Sequence, residues 1–213
     1  MDFRIVVLIS GRGSNMASLA EKAQKYRIAA VVSNNPDAMG LRYASDQGIE
    51  VVVVPRSEHA SVAAQKAEIC SVLRRLDPDL IALAGYMQIV PGSFVRDFFG
   101  KLLNIHPSLL PKYPGLEPHA QALAAGEKEH GCTVHFVDGG VDTGPVVAQA
   151  KVPVLPGDSA DTLAARVLEQ EHVLYPWVVN QIACGKISLE GTTVCYTDET
   201  RKDAAKLGFH LPY

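Results

Sequence analysis

The chain alternates between short apolar runs and longer segments with helical spacing. The first run, RIVVLIS at 4–10, is continuous and rich in β-branched residues, the pattern of a strand buried on both faces. SNMASLAEKAQKY at 14–26 follows with helical periodicity, then a second strand, IAAVVSNN at 28–35, closed by Pro36. A short helix at 39–48 stops at Gly48, and IEVVVVP at 49–55 reads as a third strand. A helix at 61–76 ends in Asp-Pro-Asp, LIALAGY at 80–86 is a fourth strand and KLLNIH at 101–106 a fifth. Strand and helix in strict alternation predict an α/β fold with a doubly wound, mostly parallel sheet and right-handed crossovers, Rossmann-like in its first half.

After residue 106 the pattern changes. GCTVHFVD at 131–138 and PVVAQAKVPV at 145–154 flank the Gly-rich GGVDTG at 139–144, which predicts an antiparallel strand pair extending the sheet. A long helix is expected over 158–185, capped by Asp158 or Ser159, ended by Gly185 and bent at Pro176. Residues 186–213 are polar and weakly patterned. No linker-like stretch divides the chain, so a single domain over 1–213 is expected. Within it, 1–100 forms a phosphate- or nucleotide-type half, 101–190 completes the site, and 191–213 is a C-terminal tail.

Composition narrows the function. Of 213 residues 47% are hydrophobic and 20% charged, and the net charge is −3, so the chain carries no electrostatic footprint for nucleic acid or an anionic membrane. The apolar run Ile5 to Ile9 is short for a signal peptide, and no stretch approaches the roughly 20 residues that span a bilayer. Cysteines 70, 132, 184 and 195 form no C-x-x-C pair. A cytoplasmic protein with free thiols is expected, its oligomeric state left open and a homodimer included. Apart from His106, the histidines at 59, 119, 130, 135, 172 and 210 show no ligand spacing, so no metal is expected.

Two segments carry candidate chemistry. In ISGRGSN, Gly11 and Gly13 permit a tight strand-to-helix turn and close backbone approach, while Ser14 and Asn15 add donors at a helix N-terminus. A phosphate monoester suits such a loop; so does a plain turn capped by Ser14. The loop lacks the third glycine of the dinucleotide fingerprint, with Met16 in its place, and the Gly-Lys-Ser/Thr of a P-loop. In LLNIHPSLLP, strand periodicity projects Asn104 and His106 to one face at the carboxyl end of a strand, where open α/β sheets place ligands, and Pro107 stops the strand. An Asn amide and an imidazolium can both donate to one developing oxyanion, and Asp142 in the Gly-rich turn is the candidate carboxylate to hold the ring. A rim histidine and an Asx-turn aspartate are the plainer alternatives. No G-x-S-x-G elbow competes.

LISGRGSN, LAGYMQIV, LLNIHPSLLPKYPG, HGCTVHFV, VDTGPVVAQAKVPV and EQEHVLYP together resemble the phosphoribosylglycinamide (GAR) formyltransferase family, over about residues 4–190. The resemblance implies a formyltransferase-like fold. It also implies transfer of the formyl group of 10-formyltetrahydrofolate, as cosubstrate, to the glycinamide amine of GAR, in purine biosynthesis and without a metal. It places Asn104, His106 and Asp142 in catalysis, and the GAR phosphate on Gly11, Gly13, Ser14 and Asn15. Glu171 would hold the ribose or glycinamide side. The folate would lie along Leu83, Met87, Gln88, Ile89, Val90 and Leu102, beside Asn104 and Asp142, with backbone of 138–142 on its polar edge.

The chain departs from that family at Gln88, where Arg is common, and near Val62, where an Arg often lies. Weaker holding of the anionic folate tail follows, with Arg56 as a substitute cation. The family also commonly differs at 115–119, which leaves His119 a candidate near the site and the part of Glu117 open. His135 either lines the site or packs. Gly and Pro at 112–130 mark a lid-like segment. The nearest alternative is a formyltetrahydrofolate hydrolase, whose motif after the His reads His-Ser-Phe where this chain has Pro107-Ser108-Leu109, and which usually carries an N-terminal regulatory domain ahead of the first strand.

Overall fold

The structure, a computed structural model, describes residues 2–212. Seven strands form one sheet in the order β3-β2-β1-β4-β5-β6-β7, mostly parallel, with an antiparallel pair at one end. The chain forms two compact units, residues 1–103 and 104–213.

In the first unit β1 (Phe3–Ile9), α1 (Ser14–Glu21), β2 (Tyr26–Ser33), α2 (Met39–Asp46), β3 (Glu50–Val53), α3 (Val62–Leu76), β4 (Leu80–Leu83) and α4 (Gly92–Asp97) follow in order. Ile5 through Ile9 are wholly buried, as a central strand with neighbours on both sides requires, and β1 pairs in parallel with β2 and β4. Ser61 caps α3 by accepting a hydrogen bond from the Ala64 amide at 3.0 Å, satisfying one of the free N–H groups of the first turn. The first helix is shorter than its sequence periodicity, ending at Glu21, because the chain turns into β2 at Tyr26, two residues before the expected strand. Strands β3 and β4 are likewise shorter than their apolar runs. Helix α4 was not anticipated; it carries Phe94 and Phe98, whose rings meet at 5.2 Å.

Strand β5 (Leu102–His106) leads into the second unit: α5 (Pro118–Ala124), β6 (Glu129–Phe136), β7 (Val146–Pro153), α6 (Ala160–Ala183), β8 (Ile187–Glu190), β9 (Thr193–Tyr196) and α7 (Asp198–Leu207). Helix α6 packs on β6 and β7. Ser159, not Asp158, caps α6, in a reciprocal box with Thr162; Asp158 instead pairs with Arg166. Pro176 lies inside the helix.

The weakly patterned tail is ordered structure. β8 and β9 form an antiparallel pair, Thr197 caps α7, and Gly208 ends it in the left-handed region. Beyond it Phe209 packs on Trp177 at 5.2 Å, and His210 exchanges two backbone hydrogen bonds with Gln149 of β7, each 2.8 Å. Tyr196 also donates to the Val147 carbonyl. The strands are too short, at four residues each, to show a period in sequence.

Candidate active site

The loop at 11–15 leaves β1 and enters α1 through Gly13, which has a φ of 76° and occupies the N-cap position with no side-chain cap. The expected Ser14 cap is therefore absent: Ser14 is the first helical residue. A Cβ on Gly13 would lie 2.7 Å from the Gly40 Cα, so the turn needs glycine for its backbone angle and for the passage of α2 alongside. The Gly40 amide donates to the Gly11 carbonyl at 3.2 Å. Just before the loop, Ser10 Oγ donates to Asn34 and accepts from the Met87 amide at 2.9 Å, which ties the loop's base to the segment after β4.

In that segment Met87 and Ile89 are 72% and 73% exposed. Gln88 is held between Tyr86 and Gln65. Val90 is half-buried, whereas Leu83 and Leu102 lie in the core. Arg56, the expected substitute cation, is turned onto the carbonyl of His59. Lys66 is the cation at this segment: its ammonium donates to the Ile89 carbonyl at 2.6 Å. Nothing in the Lys66 sequence context singled it out, because a lysine on a helix face is ordinarily solvated.

The second unit gathers Asn104, His106 and Asp142, with His135 among them. Asp142 Oδ2 lies 3.3 Å from His106 Nδ1, and its Oδ1 lies 3.6 Å from His135 Nε2. The Gly115 amide donates to Oδ2 at 2.9 Å. Asn104 Nδ2 is 3.1 Å from His135 Nε2. His135 Nδ1 is 2.9 Å from the Phe136 carbonyl, which can only accept, so Nδ1 carries a proton. His106 Nε2 donates to the Tyr113 carbonyl at 2.9 Å. Both His106 nitrogens thus face oxygens that accept, an arrangement fully satisfied only by the doubly protonated ring. His106 and His135 are 5% and 2% exposed.

Burial acts to raise the Asp142 pKa. The His135 ring, the Gly115 amide and the charge of His106 outweigh it, and the carboxyl is held below its ordinary value. The Asx turn, the plainer alternative for Asp142, is made by Asp138, which accepts from Gly140 and Thr143. Period-two spacing from Thr133 to His135 was the sequence signal for the second histidine. The Tyr113 carbonyl and Gly115 amide are backbone groups and leave no such signal.

Glu171 is 6% exposed on α6, far from the solvated charge that a helix glutamate usually is. Its carboxylate adds to burial in pushing the Cys132 thiol pKa upward. His119 and His130 form a further pair, Nδ1 to Nε2 at 3.1 Å, beside the ring of Tyr113. Among the described residues no group of three or more His, Cys, Asp or Glu side chains is placed to hold a metal, and no helix is long and apolar enough to cross a membrane.

A formyl transferase family profile matches residues 3–179. The phosphoribosylglycinamide formyltransferase of Escherichia coli (strain K12) is 47% identical over 189 residues, 87% of this chain and 89% of that one. A glycinamide ribonucleotide transformylase 1 of known structure, from Symbiobacterium toebii, superposes with a TM-score of 0.88 at 42% identity, over 92% of this chain and 95% of that one. The trifunctional purine biosynthetic protein adenosine-3 of Drosophila melanogaster is 45% identical over 85% of this chain, which spans only 14% of that longer protein. A formyltetrahydrofolate deformylase from Pseudomonas syringae shares the fold, with a TM-score of 0.84, but at 25% identity and over 67% of its own length. The chain belongs to the formyl transferase family and, within it, to the phosphoribosylglycinamide formyltransferases.

Proposed function

We infer that the protein transfers the formyl group of 10-formyltetrahydrofolate to the glycinamide amine of GAR, giving formyl-GAR and tetrahydrofolate in purine biosynthesis. The observation that carries the site assignment is the convergence of Asn104, His106, His135 and Asp142 at the end of β5. The amine attacks the formyl carbon, and the carbonyl oxygen takes up negative charge. Asn104 donates to that oxygen, and the positive charge of the His106 imidazolium, whose two N–H groups are held by Asp142 and the Tyr113 carbonyl, stabilises it through space. Its charge is then stabilised by groups fixed before the reaction, in a site with little water to reorient. As the intermediate collapses, the bond from carbon to folate N10 breaks, the attacking nitrogen loses a proton and N10 gains one. Asp142 keeps the His106 ring charged and accepts the amine proton, which passes to N10 by way of the ring or a water.

Gly11, Gly13, Ser14 and Asn15 are assigned to the GAR phosphate, on the strength of the α1 N-terminus and the glycine turn. Buried Glu171 is assigned to the polar ribose or glycinamide groups. Met87 and Ile89, with Gln88 and Val90, are assigned to the folate, with Leu83 and Leu102 behind them.

A formyl-transfer assay with and without GAR tests the reading. Turnover that requires GAR supports it; turnover with water alone would make the protein a hydrolase. His106→Ala should lower kcat by about a hundredfold or more, in line with the usual worth of one acid–base group, while GAR still binds. Near-normal turnover in that variant would remove His106 from the chemistry.

A further inference from the structure

The turn that follows β5 is fixed by buried polar groups that the mechanism does not use. Gln149 Nε2 of β7 donates to the Leu110 carbonyl at 2.8 Å and to Thr133 Oγ1 at 2.9 Å. Thr133, fully buried on β6, donates to the Ser108 carbonyl at 2.6 Å and accepts from the Leu110 amide at 3.1 Å. Ser108, also fully buried, donates to the Lys112 carbonyl at 2.6 Å. The next carbonyl along the chain is that of Tyr113, which accepts from His106 Nε2. Tyr113 reaches this position with a φ of 56°, a left-handed angle that a non-glycine side chain resists. A strained residue stays strained only where its surroundings over-determine it. Here the Tyr113 hydroxyl is held by Glu127 at 2.8 Å, and the preceding backbone is held by Thr133, Ser108 and Gln149.

We propose that Gln149 is a positioning residue for the transfer reaction, setting the orientation of the His106 ring through Thr133 and the 108–113 turn. Gln149 suits that part because its own backbone is fixed: it pairs with β6 at Thr133 on one side and with His210 on the other. Its side chain carries the stiffness of the sheet into the turn. Removing its amide leaves the Leu110 carbonyl without that donor, lets the turn relax at Tyr113, and frees the ring from one of its two acceptors. Misplacement of a reacting group by about 1 Å can cost a hundredfold in rate.

The proposal rests on His106 acting in formyl transfer, so wild-type turnover is measured first; its absence would refute that reading, not this one. Gln149→Met keeps the side chain's length and removes the amide. Its expected effect is a ten- to hundredfold fall in kcat with KM for both substrates within about twofold, in protein whose melting temperature shows it folded. Long-range proton–nitrogen correlation of the imidazoles should show the His106 Nε2–H signal in the wild type and its loss to solvent exchange in Gln149→Met. Thr133→Val should repeat the kcat defect, and Thr133→Ser, which restores the hydroxyl, should recover it relative to Thr133→Val. Turnover within twofold of wild type in Gln149→Met, or an unchanged Nε2–H signal, would overturn the proposal. If Gln149→Met does not fold, the Thr133 pair decides: equal kcat in the two variants would overturn it.

Discussion

Asp142 meets His106 from a strained backbone: its φ is 54°, and its Oδ2 lies 3.3 Å from the ring's Nδ1. Tyr113, which meets the other ring nitrogen, is also left-handed. Both groups that touch the ring therefore occupy angles that the chain avoids when free. The fold spends stability at this point to fix the direction of one imidazole.

Replacing the carboxylate without changing its size separates charge from position. Asp142→Asn should lower kcat by about a hundredfold or more, the scale of a lost acid–base group, with a smaller effect on KM for GAR. The variant should also change acid stability. A carboxyl whose folded pKa is depressed contributes stability that is full above its unfolded value of 3.8 and lost as pH falls through the lower folded value. Melting temperatures below pH 4 should fall less steeply in Asp142→Asn than in the wild type.

His119 also loses stability as pH falls, but because the fold favours its neutral form instead of its charged one. Burial, with the nearby His130 and His106, pushes its pKa from 6.5 down to about 4. The folded state then binds fewer protons than the unfolded state between these values, so stability is complete above about pH 6.5 and declines as pH falls toward 4. His119→Gln should flatten that part of the melting-temperature profile. An unchanged slope between pH 6.5 and 4 would show that His119 titrates normally.

The glycine turn permits a test confined to one loop. Gly13→Ala places a methyl group 2.7 Å from the Gly40 Cα and forces a left-handed angle on a side chain that resists it. KM for GAR should rise at least tenfold if the backbone amides of this turn hold the phosphate as proposed, because they move with it. Equilibrium binding of GAR by calorimetry checks this directly; wild-type affinity would take the loop out of phosphate recognition.

At α6 the expected change is one of stability alone. Ser159→Ala removes the acceptor for the Thr162 amide and should cost about 1 kcal/mol in urea unfolding, the usual worth of an N-cap. Activity of the folded variant should stay at the wild-type level, and a lowered kcat would mean that α6 transmits more to the site than its cap.

The sheet was legible because its strands are buried on both faces and so spell themselves as apolar runs between helices. Asn104 and His106 were legible because a polar residue at the end of such a run stands out against its neighbours. His135 was only half legible: inside β6 its neighbours are equally buried, and spacing cannot separate a site residue from a core one. Leu83 and Leu102 show the same ambiguity from the other side, read as slot and found in the core. Of the two groups that hold the His106 ring, Asp142 was read from its Gly-rich turn, whereas the Tyr113 carbonyl is main chain and leaves no side-chain signal. Strands β8 and β9 escaped notice because four residues cannot establish a period.

Gln149 and His210 have a bearing on how copies of this chain behave toward one another. β7 is the outermost strand of the sheet, and an open outer strand is a template for strand addition by a second molecule. The pairing with His210, the hydroxyl of Tyr196 on Val147 and the ring of Phe209 on Trp177 occupy that border from within the same chain. Growth of the sheet into a neighbour along 147–149 must first peel away residues 209 and 210. Residues 196–210 thereby act as a selvedge over that stretch of the edge.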